Sequence, residues 1–347
     1  MAALFEVKDL DRDIYERELR DFLPDNLVDV HTHVWLEEHR THARDEFSRV
    51  VSWPARVAKE CSVEDLAESY RLMFPGKGVT PLMFSNLGAA DDPDRMNDYV
   101  RDSSKRYGYP ALLFARPEWP GEEVERRIVA GGFLGVKVYL NLAPGYIPRT
   151  EIRIFDFLPL HQLHDLDRKG RVVMLHIPRD GRLRDPVNIE QMLEIERSFP
   201  RLRLIIAHVG RAYCDEDVGD AFDRLSATKN MLFDFAANTN DRVFERLLRT
   251  FGPERVLFGS DLPITRMRMR RTCDSGKYVN LVPRGLYGDV SGDPNMGELD
   301  PPESDRLTTF MYEEILAMKQ ACARTGIGKD GVEAIFDGNA RRVLGLT

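Results

Sequence analysis

The stretch VDVHTHVW, Val28 to Trp35, places two histidines one residue apart at the end of an apolar run. Successive side chains of a β-strand point to opposite faces, so His31 and His33 share one face. Paired imidazoles gain little from packing and repel one another when charged. A cation between them, other than a proton, gives the pair a purpose. Three other apolar runs end the same way: VVMLH on His176, LIIAH on His208 and VLFGSD on Asp261.

A nitrogen–oxygen donor set of this kind suits Zn²⁺, with Mn²⁺ or Fe²⁺ as competitors. His31, His33, His176 and Asp261 leave room for a water, whose pKa a divalent cation lowers from about 15.7 to about 7. His208 is then a further ligand or a general acid/base beside the metal. A single strand-end histidine is more often a hydrogen-bonded structural residue. Five groups at matching positions reverse that expectation. Lys137, in GVKVYL, lies on the face shared by Gly135 and Tyr139 and is expensive to bury unpaired. It is a substrate grip or an ion-pair partner of Asp261, and Tyr139 joins the substrate-binding candidates. His161 and His164 stand three apart in a helical stretch, where packing is the simpler role. His39 and His42 fall in a loop, where solvation is the default.

These groups need a scaffold that brings strand ends together. Strands are expected at 27–33, 79–85, 110–116, 134–140, 171–177, 202–208, 230–236 and 255–261, with nearly continuous apolar cores suited to parallel strands covered on both faces. Helical stretches separate them, one beginning after Ser62 as N-cap. Eight strand–helix units make a single (β/α)₈ (TIM) barrel over 27–347, with a helical extension over 1–26. In an open sequential sheet the first and eighth strands would lie roughly 33 Å apart, at ~4.8 Å per strand. Only a closed barrel lets His31 and Asp261 share a ligand. Two connections, from Trp35 to Cys61 and from Leu262 to Ser304, are long enough to be loops that cover a site.

The net charge of −8 argues against nucleic-acid binding. No apolar run approaches the ~18 residues that span a bilayer, and no secretory signal is visible at the start. The four cysteines, Cys61, Cys214, Cys273 and Cys322, lie far apart and suit reduced thiols in a cytoplasm. Arg179 and Arg211 each follow a strand-end histidine by three residues. TRMRMRR adds Arg266, Arg268, Arg270 and Arg271 just after Asp261. Arginine's planar fork matches a carboxylate, so a small anionic substrate held chiefly by Arg179 and Arg211 is expected. The plainer reading of TRMRMRR is a solvated loop.

VDVHTHVW, LHIPR, IIAHVG and FGSDLP, in this order, resemble the motifs of the amidohydrolase superfamily, in its amidohydrolase-related branch. IFDGNARRVLGL is similar to the branch's C-terminal helix. The resemblance covers nearly the whole chain from residue 28. It implies His31, His33, His176 and Asp261 around the metal and His208 beside the substrate. It also implies that Lys137, if carbamylated, could bridge two metals. The expected activity is hydrolysis of a C–O or C–N bond in a lactone, ester or amide, and Trp35 after the H-x-H pair resembles the lactonase-like members. The alternatives are non-oxidative decarboxylation of an aromatic or muconate-type acid, and metal binding without turnover. The long loops allow a homo-oligomer.

Overall fold

The computed structural model describes residues 4–41, 49 and 51–347. Eight short parallel strands follow the expected order: β1 (Asn26–His33), β2 (Gly78–Phe84), β3 (Leu113–Phe114), β4 (Gly135–Val138), β5 (Val172–Leu175), β6 (Arg203–Ile206), β7 (Leu232–Asp234) and β8 (Val256–Leu257). β1 pairs with β2, and β3 to β8 form a sequential sheet. Backbone hydrogen bonds join these two sheets on both sides. Met83 pairs with Ala111 and Thr32 with Leu262 in parallel bridges. Val30 N–H donates to Phe258 O, Asp261 N–H to His31 O and His33 N–H to Leu262 O, at 2.8–2.9 Å. The ring is therefore continuous from β8 back to β1.

Two apolar layers hold it. Val28, Val30, Leu82, Phe84, Met174, Ile205 and Leu257 meet in one cluster drawn from strands all around the ring, which marks it as the barrel interior. Val136, Val173, Leu204 and Phe233 belong to the larger cluster shared with the outer helices. Those helices carry the expected stop and start signals. Ser62 Oγ accepts from Asp65 N–H while Asp65 caps Ser62 in return, opening the helix Val63–Met73. Asp92 caps Pro93–Tyr107, and Gly108 ends it in the left-handed conformation.

Three features depart from the expectations or add to them. The segment after β8 is not a plain loop: it folds into a small sheet of β9 (Arg270–Asp274), β10 (Lys277–Pro283) and β11 (Met296–Leu299). β10 alternates between inward and outward residues, with Tyr278, Asn280 and Val282 buried. Trp53, from the first long connection, packs with Met267, Met269, Val282 and Phe310 beneath this sheet. Second, Cys214 and Cys273 are joined as a disulfide, with Cα atoms 5.8 Å apart, and only Cys61 and Cys322 remain free and buried. Their separation of 59 residues conceals the pair, because the inserted sheet must fold back before they meet. Third, the N-terminal segment shares the barrel's core: Tyr15, Leu19 and Leu23 belong to the main cluster, and Asp11 forms a buried ion pair with Arg268 at 2.5 Å. Among the described residues, no helix is long and apolar enough to cross a membrane.

Candidate active site

The strand ends bring their polar groups to one mouth. A register irregularity between Asp29 and Thr32 lets His31 turn to the mouth directly after inward-facing Val30. Gly259 is required beside it, since a Cβ there would meet His31 Cβ at 2.8 Å. Asp29 braces this junction: its carboxylate accepts from Ser260 N–H (2.8 Å), His31 N–H (3.1 Å) and Tyr70 Oη–H (2.7 Å). Burial pushes its pKa up to about 7.

Each of three imidazoles has its Nδ1 fixed by an acceptor. His31 Nδ1 lies 3.0 Å from Asp234 Oδ2, His33 Nδ1 3.0 Å from Ser85 O and His208 Nδ1 2.8 Å from Ala236 O. A carbonyl cannot donate, so Nδ1 carries the proton in His33 and His208. Burial pushes the Asp234 pKa up, but the His208 and Ala236 N–H groups and Lys137 favour its anion, which selects the same tautomer in His31. All three then offer Nε2 lone pairs. Those of His31 and His33 lie 3.6 and 3.3 Å from Asp261 Oδ1. Lone pairs facing a carboxylate oxygen repel unless a proton or a cation sits between. Donors held ~2.1 Å from a tetrahedral Zn²⁺ are about 3.4 Å apart, so the spacing fits a metal. Donor atoms of His31, His208 and Asp261 also lie within 4.8 Å of one another. His208, expected beside the metal, is thus within the wider donor group as well.

His176 stands edge-on to Tyr139 (4.6 Å between centroids) and to His208 (5.2 Å), and its Nδ1 is buried without a partner among the described residues. Burial pushes the pKa values of His31 and His176 well below the ordinary value, which keeps them neutral and able to ligate. Burial acts to raise the Asp261 pKa, yet the contact with His33 and the neighbouring imidazoles of His208 and His31 hold it well below the usual carboxylate range. Lys137 Nζ is 3.5 Å from His31 Nε2 and over the Phe84 ring. Burial lowers its pKa to about 8. It forms no ion pair with Asp261 within 4.0 Å, so that role is not the one it takes here.

The backbone around these groups is strained. His208, Val209, Gly210 and Arg211 all have φ between +49° and +61°, and Asp261 has φ +59°. Left-handed conformations cost roughly 1–2 kcal/mol per non-glycine residue and gather at functional sites. The turn is held by Asp234 Oδ1, which accepts from His208 N–H at 2.7 Å. On its far side, Arg211 Nη1 donates to Pro178 O and Arg179 O at 2.9 and 3.1 Å.

The arginines divide. Arg179 Nε lies 3.1 Å from Asp185, the N-cap of helix Pro186–Ser198, and lines a groove with Glu151, Arg153 and Glu190. That pairing takes it away from the expected anion clamp, because a cap carboxylate six residues on was the nearer partner. Arg266 is buried against Ser69 and Asp65 O, and Arg268 against Asp11 and Leu307 O. Arg270 is exposed near Glu313. Arg271 alone of the four stands against Tyr213 and Tyr278, near His208. Outside the site, His161 contacts Trp119 O and His164 packs on Phe199, as a structural role predicts. His39 lies edge-on to Tyr99, and His42 falls outside the described residues.

Sequence reasoning missed Asp234, Asp29, Tyr213 and Tyr278. An acid inside NMLFDFA was the available sign, since a carboxylate within an apolar strand must be partnered.

A closed eight-stranded α/β ring with histidines and an aspartate at its strand ends defines a barrel with a metal-competent mouth. The Amidohydrolase (Amidohydro_2) family model matches residues 28–346, so the chain belongs to the amidohydrolase family. Solved structures share the fold at low identity. An amidohydrolase from Burkholderia multivorans with bound zinc matches at TM-score 0.58 and 14% identity, over 92% of this chain and 99% of that one. The 2,6-dihydroxybenzoate decarboxylase from Rhizobium matches at 0.54 and 15%, over 93% and 99%. A putative 2-pyrone-4,6-dicarboxylic acid hydrolase from Pseudomonas putida matches at 0.54 and 16%, over 93% and 99%. No curated protein matches the sequence.

Proposed function

We propose that the chain is a metal-dependent hydrolase that cleaves a C–O or C–N bond, as in a lactone, ester or amide, of a small carboxylate-bearing molecule. One observation carries this reading: Nδ1 of His31, His33 and His208 is committed to fixed acceptors, so their Nε2 lone pairs are turned toward Asp261. His31, His33, His176 and Asp261 are the residues that would hold Zn²⁺, or Mn²⁺ or Fe²⁺. A second ion would need Lys137 as its carbamate. A divalent cation supplies Lewis-acid chemistry there, polarising a carbonyl and acidifying water.

The remaining work belongs to the chain's own residues. Asp261, held anionic, accepts a proton from water. His208, whose Nδ1–H donates to Ala236 O, takes up that proton on its free Nε2 and passes it to the leaving group. Tyr139, whose pKa burial pushes up to about 12, remains a phenol and a donor at the mouth. Arg211 grips the substrate's carboxylate. The cytoplasmic setting expected from four free thiols loses its support once Cys214 and Cys273 are joined.

The test is a chelation series in ¹⁸O-labelled water. Turnover that disappears with the metal, returns with Zn²⁺ and places one solvent oxygen in the product supports hydrolysis. Undiminished turnover after complete metal removal sinks it. Decarboxylation is the second reading, favoured by Arg211, which has no carboxylate within 4.0 Å among the described residues and so suits an acid substrate. It would release CO₂ and add a solvent hydrogen to carbon.

A further inference from the structure

The inserted sheet carries a cation to the mouth. Arg271, on β9, lies with its guanidinium carbon 4.8, 4.4 and 4.6 Å from the ring centroids of Tyr213, Tyr278 and Phe310. Its Nε donates to Asn280 Oδ1 at 2.9 Å and its Nη1 to Ala237 O at 2.7 Å. Among the described residues Nη2 has no acceptor, and Nδ2 of Asn280 is buried without a partner. Two neighbouring donors therefore lack acceptors in one place.

Charge points the same way. Arg182 shares the two tyrosine rings but is neutralised by Asp217 at 2.6 Å. Arg271 and Arg211 have no carboxylate within 4.0 Å among the described residues, and both influence the Tyr213 phenol. Glu314 accepts from Ala237 N–H beside Arg271, but burial pushes its pKa well above the ordinary value, toward the neutral acid. A partly buried guanidinium without a counter-charge favours an anionic partner, and a planar anion fits its fork. Tyr213 also connects this cation to the site, with its ring 6.4 Å from that of His208.

We infer that Arg271 is a specificity-determining residue: the inserted sheet delivers it, with Arg211, as the seat for the substrate's anionic group, between the Tyr213 and Tyr278 rings. This rests on the proposed carboxylate-bearing substrate, and it assigns the grip to a segment that the barrel itself does not supply.

The experiment titrates the zinc-loaded full chain with benzoate and with benzamide, its uncharged counterpart, by calorimetry. Wild type should bind benzoate at least tenfold more tightly than benzamide. R271Q should erase that preference while zinc content and melting temperature stay unchanged. R271K, which keeps the charge without the fork, should retain part of it and serves if R271Q does not fold. Equal benzoate affinity in R271Q and wild type, or no preference in wild type, overturns the inference. Turnover is not needed for this measurement. Benzoate binding through Arg271 in a protein that hydrolyses nothing would refute the proposed reaction and leave Arg271's role standing.

Discussion

The two sides of the mouth are built by different means. On the β1–β7–β8 side, His31, Asp234 and Asp261 sit on strand ends, and fixed partners orient them. Against the residues that follow β6 and β7, Arg271 and Tyr278 ride on an inserted sheet that reaches the barrel through Cys214–Cys273, a Trp53–Tyr278 contact and a small apolar cluster. The first side has donors turned inward toward the Asp261 carboxylate, with Lys137 Nζ beside His31 Nε2. The second has cations and aromatic faces. A barrel can thus keep its reactive groups on rigid strands while a separate insert sets which molecule reaches them.

Breaking the strand side should cost most. D261N removes both a donor and the proton acceptor, and turnover should fall roughly 10²–10⁴-fold with loss of bound metal. Metal analysis beside initial rates checks this; a D261N protein that keeps both would place the chemistry elsewhere. Next comes the tether of the insert. C273S opens a cross-link spanning 59 residues, worth about 4 kcal/mol in the chain-entropy account. Denaturant unfolding should register most of that loss while zinc content is unchanged. Zinc lost in parallel would mean that the two sides form one unit.

D234N sharpens the contrast within the strand side. The change removes the charge facing His31 Nδ1 and one acceptor of the strained His208 turn. Partners that orient a ligand are worth about 10–100-fold in metal affinity. Competition with a chelator should place D234N in that range, well short of the D261N effect. An affinity equal to wild type would show that the barrel alone fixes the His31 tautomer.

The strand side was readable from the sequence because both of its signals are local. A buried parallel strand is a short apolar run, and a group at its end must face the mouth; LIIAH and VLFGSD state both at once. β3 and β8 are nonetheless only two residues long, since curvature breaks the ladder before the apolar run ends. Asp234 was hidden because one acid in NMLFDFA carries no mark of what it touches. The insert was hidden for another reason. KYVNLVP alternates, but the strands that pair with it are short and one lies beyond a loop. TRMRMRR shows the limit most clearly: four arginines within six residues end in four environments, because tertiary neighbours such as Asp11, Ser69 and Tyr278 decide each.

The smallest expected effect tests that last point. Arg179 lies three residues after His176, the same offset as Arg211 from His208, so the sequence treats them alike. The structure gives Arg179 to Asp185 at the cap of helix Pro186–Ser198, whereas Arg211 lies close enough to His176 and Tyr139 for its charge to act on both. R179M should therefore leave KM for an anionic substrate within about twofold. It should cost at most ~1 kcal/mol of stability, the worth of a partly exposed ion pair. R211M should instead raise KM at least tenfold, since a charge-assisted pair is worth about 1.5–3 kcal/mol. Steady-state kinetics of the two variants on one substrate decides between them. A large KM rise in R179M would return the anion seat to the β5 side of the mouth and leave the inserted sheet without its assigned role.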